Sequence, residues 1–227
     1  MNSLAFTDKP GLLNFLRRWY GAPTSPDTRL GESSNAPREL VEWHEISAQW
    51  GGVIVSHNYA IPLSELKAEG GKVSFWVENQ GAWVWAFDPT SDDLAVYERE
   101  PSDGLTPWEK TGESLSEFLI HATVMEAILG APARKIAQGV RIEWLNSERV
   151  HKIPFPAWNW PARNSCIYAG DSWLALVHAS DDAPTTSDVT LAARSPENLA
   201  WADNVPEIKW RSYCETQEPM ASEPLPW

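Results

Sequence analysis

The chain has 227 residues, with 18 Lys plus Arg against 31 Asp plus Glu, a formal charge of -13 and a hydrophobic fraction of 43%. That length holds one large domain or two small ones, with enough interior to fold without disulfide or metal staples. The charge argues against direct binding of nucleic acid or anionic membranes, whose phosphates draw affinity from clustered Lys and Arg, and it favours a basic partner or plain solubility.

Leu12, Leu13, Leu16, Trp19 and Tyr20 recur at helical steps, and Gly21, Pro23 and Pro26 close that helix. Residues 24–36 are polar and rich in Pro and Gly, the signature of a loop. Pro37 suits the first turn of a second helix, with Leu40, Val41, Trp43 or His44, Ser47 and Trp50 as its inner stripe and Gly51-Gly52 as its stop. Val53 to Ile61 reads as a strand, and Pro62 to Ala68 as a turn or one helical coil. Val73, Phe75 and Val77 alternate with Ser74, Trp76 and Glu78, and Trp83, Trp85 and Phe87 alternate with Val84 and Ala86. Period two with aromatic residues predicts two strands, joined as a hairpin in which Gly81 takes positive φ. A third run, Leu94 to Glu98, completes an antiparallel meander.

Ser114-Leu115-Ser116-Glu117 is a capping box, followed by Phe118, Leu119, Ala122, Met125 and Leu129 at helical spacing, a stripe that should pack across the sheet. Lys152 to Pro161 suits a linker or crossover. Cys166 to Tyr168, Ser172 to His178 and Val189 to Ala193 read as strands, Ser195-Pro196-Glu197 opens a short helix, and the last fifteen or so residues look loose. Residues 1–130 carry a net -10 and residues 131–227 a net -3. Fourteen Trp mark the composition, most of them expected in the core and some as interface anchors.

No span approaches the roughly 20 apolar residues of a membrane helix, and the first residues lack the pattern of a secretory signal. Cys166 and Cys214 are too few for a disulfide framework, although one bond between them stays open. These features point to a reducing, cytoplasmic compartment.

The search for catalytic chemistry finds little. His44-Glu45 begins a zinc-protease motif, but Ala48 stands where the second ligand belongs. His44, His57, His121, His151 and His178 are scattered, so neither a metal nor a cofactor is expected. Gly51-Gly52 and Gly70-Gly71 lack the rest of a phosphate cradle. His121 reads as a packing histidine and Cys166 as an inert thiol.

Two stretches remain. Asp88, Asp92 and Asp93, with Glu98, Glu100 and Asp103 downstream, form a solvated turn or a docking surface for basic groups; the carboxylate spacing of a calcium loop is absent. Glu78, Asn79 and Gln80 interrupt a line of large apolar residues. They either satisfy backbone groups in the turn or present a polar patch beside Trp83 and Trp85. These eight residues (Glu78, Asn79, Gln80, Trp83, Trp85, Asp88, Asp92 and Asp93) are the candidate partner-binding set.

The order of these features resembles the SMI1/KNR4 (SUKH) superfamily, and more narrowly its actinobacterial type. The resemblance rests on the Trp19-Tyr20 helix, the Trp-bearing second helix, Ile61-Pro62-Leu63-Ser64-Glu65-Leu66, the run FWVENQGAWVWAF from Phe75 to Phe87, Val96-Tyr97, Trp108 and the Leu115-Ser116-Glu117-Phe118-Leu119 helix. It covers roughly residues 10–130, placing such a domain at residues 1–133 and a C-terminal α/β extension at residues 134–227, packed on it or separate. The resemblance implies an α+β fold, mostly an antiparallel sheet with helices packed on it. It also implies a non-catalytic immunity protein that neutralises a cognate toxin, often a nuclease, of a bacterial polymorphic toxin system. A regulatory adaptor binding a host protein is the alternative, and an uncharacterised hydrolase the second. The partner expected is thus a protein toxin or another basic protein.

Overall fold

The structure is a computed structural model describing residues 8–28, 36–101, 106–145, 150–180 and 185–214. Helix α1 spans Lys9–Tyr20, and the Asp8 carboxylate caps it by accepting from the Gly11 N–H at 2.8 Å. It buries Leu12, Phe15, Leu16 and Trp19. Helix α2 spans Arg38–Gln49 directly after Pro37 and buries Leu40, Trp43, Ile46 and Ser47. Gly51 and Gly52, both at positive φ, lead the chain away.

The strand expected over residues 53–61 shrinks to β1 at Tyr59–Ala60. Its backbone donors go elsewhere: the buried Glu126 carboxylate accepts from the N–H groups of Ser56, His57 and Asn58 at 2.9, 2.7 and 3.1 Å. Three consecutive donors held by one side chain are unavailable to a ladder.

Strands β2 (Lys67–Glu69), β3 (Lys72–Val77), β4 (Val84–Phe87), β5 (Val96–Arg99) and β6 (Glu109–Lys110) form with β1 the first antiparallel sheet, ordered β1-β3-β4-β5-β6 with β2 also on β3. The predicted meander is present, and Gly81 sits at φ 74 in the β3–β4 turn. The alternation of β3 breaks. A register irregularity between Ser74 and Trp76 lets both Phe75 and Trp76 turn inward, with ring centroids 5.1 and 6.3 Å from Phe118. A bulge of this kind re-aims side chains that strict period two would send to opposite faces.

Helix α3 spans Leu115–Leu129, and its capping box forms, with the Ser114 N–H donating to the Glu117 carboxylate at 2.9 Å. From Phe118 to Ile128 the helix is buried on every side, not along one stripe: its interior polar residues His121, Thr123 and Glu126 are as enclosed as its apolar ones. An all-round apolar helix needs cover on all faces. The first sheet supplies part of it through Phe75, Trp76 and Trp85 against Phe118. α2 adds Trp43, whose indole N–H donates to Thr123 Oγ1 at 2.9 Å.

The second sheet covers the rest. It comprises β7 (Ala133–Val140), β8 (His151–Lys152), β9 (Cys166–Ala169), β10 (Trp173–Ala179), β11 (Ser187–Ala193) and β12 (Arg211–Cys214), all antiparallel in the order β12-β7-β11-β10-β9-β8. Leu174 and Leu176 of β10 join the core around α3, while Trp173, Ala175 and Val177 face a second core closed by the 3-10 helix Pro196–Asn204. Burial on both faces explains the unbroken apolar run of β10. The fold is therefore α+β with two antiparallel sheets. The end of the chain expected to be loose begins with β12; residues 215–227 lie outside the described residues, as do Asp103 and residues 29–35 of the long loop.

Candidate protein-binding surface

The eight residues singled out from the sequence fall into two groups at opposite ends of β4, about 10 Å apart at roughly 3.3 Å per residue. The first group is the hairpin tip. Glu78 is buried, and its carboxylate accepts from the N–H groups of Gln80 and Ala82 at 2.9 and 3.1 Å, so it satisfies the turn from within. Asn79 and Gln80 are exposed, and Asn79 Nδ2 lies 3.4 Å from His57 Nε2. Trp83 is half-buried. Trp85 is fully buried and so supports the tip from beneath without meeting a partner. Both indole N–H groups donate to Glu98 Oε2, at 3.0 and 3.2 Å, and Asn159 Nδ2 donates to Oε1 at 3.0 Å.

Glu98 therefore leaves the acidic surface to which its sequence position assigned it. Burial raises its pKa above the ordinary carboxylate range, against the pull of its three donors. Trp160 packs edge-on against Trp85 at 5.6 Å and lies 6.4 Å from His57. The tip thus presents the amides of Asn79, Gln80 and Asn159 beside Trp83, Trp160 and His57. The last two and Asn159 were not identified from the sequence, because they come from segments distant from the hairpin.

The second group is the turn after β4. Asp88 accepts from the Thr90 hydroxyl at 2.6 Å and its N–H at 2.9 Å, and pairs with Lys72 Nζ at 3.2 Å. Those bonds, Thr90 first, draw its pKa down to about 2. Asp92 and Asp93 are exposed and enter no ion pair among the described residues. The same turn contributes Pro89 and Leu94 to the wall of an open groove of about 560 Å³. Leu63, Leu66, Val73 and Phe87 make its apolar lining, Ala36 and Pro37 bound it at the α2 end, and Glu39 is its one charged wall residue among those described. Leu63 and Leu66, two large apolar side chains in a segment that reads as a turn, were the only local sign of it.

Elsewhere, Glu113 and His121 meet inside the core at 2.9 Å, and His121 stacks on Phe155 at 4.3 Å. Cys166 is half-buried and Cys214 exposed, both as free thiols. Among the described residues no three or more His, Cys, Asp or Glu converge as metal ligands, and no helix is long and apolar enough to cross a membrane.

Comparison with models of known protein families, with curated proteins and with solved structures found no match.

Proposed function

We propose that this chain is a non-catalytic protein-binding protein that neutralises a basic toxin, a nuclease by preference, in the cytoplasm of the cell that makes it. The resemblance of residues 10–130 to SMI1/KNR4 (SUKH) proteins of the actinobacterial type supports this reading. The observation that carries it is the acidic turn walling an apolar groove: Asp92 and Asp93, exposed and without an ion pair among the described residues, stand on the turn that closes one side of a 560 Å³ space whose described lining holds no Lys or Arg.

A nuclease holds a polyanion, so its active face is basic, and an inhibitor with an anionic rim meets that face at a steered rate. Apolar side chains seated in the groove then slow dissociation. The net charge of -13 extends the same attraction beyond the contact.

The second reading, a regulatory adaptor, draws on the hairpin tip, whose exposed amides and half-buried indoles carry no acidic group and suit a partner of any charge. Co-expression with the product of each neighbouring gene separates the two. Rescue of growth, with a complex that weakens as salt rises, is the outcome expected of a neutraliser. No rescue by any neighbouring gene product, with a host protein bound in its place, favours the adaptor.

A further inference from the structure

One carboxylate lines two grooves. Besides the 560 Å³ groove, a space of about 290 Å³ opens between α1, α2 and the start of α3, floored by Leu12, Trp43, Ile46, Leu119 and Ile120. Its charged lining is Asp8, Lys9, Glu39 and Glu42. Three of these are committed. Asp8 caps α1, and Glu42 accepts from Lys9 Nζ at 2.8 Å and from Arg38 Nε at 2.7 Å. Glu39, in the first turn of α2, lines both grooves, is exposed, and has no ion pair among the described residues. Among the described residues, the ridge between the two apolar spaces therefore carries one free negative charge.

Resting on the binding function proposed above, we infer that the partner docks a basic amphipathic helix across the first turn of α2, with one Lys or Arg on Glu39 and an apolar side chain in each groove. A helix with its side chains is about 10 Å wide, so the two anchors stand about that far apart. Residues seven apart on a partner helix rise about 10.5 Å, and the residue three or four positions along from the first lies on the same face between them. The apolar anchors supply affinity. The central pair fixes register and rejects acidic segments. A second copy of this chain fits poorly, because it brings another net -13 to the same ridge.

The test uses the full chain and a lactam-stapled helical peptide with Leu at i and i+7 and Arg at i+4, followed by fluorescence anisotropy. The Arg peptide should bind the wild type. Glu39→Gln should weaken it about three- to fivefold, as for an exposed ion pair. Ala68→Trp, at an exposed strand position lining the larger groove, should weaken it about tenfold or more by filling an anchor site. Glu39→Lys should lose the Arg peptide and gain its Arg→Glu counterpart. No binding, equal binding of the Arg peptide to wild type and Glu39→Lys, or self-association of the chain through this face overturns the inference. If a neighbouring toxin is neutralised with affinity unchanged by Glu39→Lys, the inference falls and the neutralising function stands. If the charge swap succeeds and no toxin is neutralised, the docking mode stands and the neutralising function falls.

Discussion

The indole N–H of Trp158 donates to Oε2 of Glu113 at 2.7 Å, and both residues are almost wholly enclosed. The other carboxylate oxygen takes Nδ1 of His121 on α3 at 2.9 Å. Trp158 in turn stacks on Phe118 with centroids 5.0 Å apart. One glutamate thus pins the irregular, proline-rich segment after β8 to the central helix, where Trp158 becomes a wall of the core.

Removing that acceptor strands two buried donors. Glu113→Leu should lower stability by about 2–4 kcal/mol in urea unfolding, and Trp158→Phe, which keeps one aromatic ring but loses the N–H and the second ring, by about 2–4 kcal/mol. The double variant should cost less than the sum, since each change removes the same bond. Strict additivity would show that the two groups do not depend on each other.

Gly130 ends α3 under the 53–58 segment, where a β-carbon would overlap Ser56 Oγ and stand 2.9 Å from Ser56 Cβ. Gly130→Ala should therefore cost about 1–3 kcal/mol through overpacking, seen as a lowered Tm. Ser56→Gly in the same chain should recover part of that loss, whereas a penalty from helix-terminal geometry alone would persist.

Glu126 gives a pH signature. Burial pushes its carboxyl above the ordinary 4.5, outweighing the three backbone N–H groups that pull it down. Between 4.5 and the raised native value, the folded chain binds more protons than the unfolded one, so this residue's contribution to stability falls as pH rises through that window. Glu126→Gln removes the titration. Its deficit against the wild type in urea unfolding should be greatest at the acid end of the window and shrink toward neutral pH. A deficit that widens with pH would contradict the raised pKa.

The acidic turn predicts a kinetic effect. Asp92→Lys with Asp93→Lys alters two exposed side chains and should leave the Tm near that of the wild type. Association with a basic partner should slow by about tenfold or more at low salt, with the dissociation rate little changed. Stopped-flow association at two ionic strengths checks this, and an on-rate indifferent to both the charge and the salt removes the steering role.

Much of this architecture is set by local chemistry and was therefore legible in the chain alone. Asp8 at the start of α1 was not identified in advance, but the helical steps of its apolar residues were; the Ser114–Glu117 box, the Gly81 turn and the aromatic period of β3 and β4 specify their elements from residues a few positions apart. The acidic turn was visible for the same reason. What only the tertiary structure decided is where the chain spends its long-range donors. Glu126 reaches back to Ser56, Glu98 out to Asn159 and Glu113 to Trp158, each across 45 residues or more. Those bonds leave little of one expected strand, take an acidic residue off the surface and draw Trp158 into the core. The grooves beside Glu39 arise the same way, because their apolar lining and its charge become neighbours only when α2 packs between α1, α3 and the first sheet, segments far apart in the sequence.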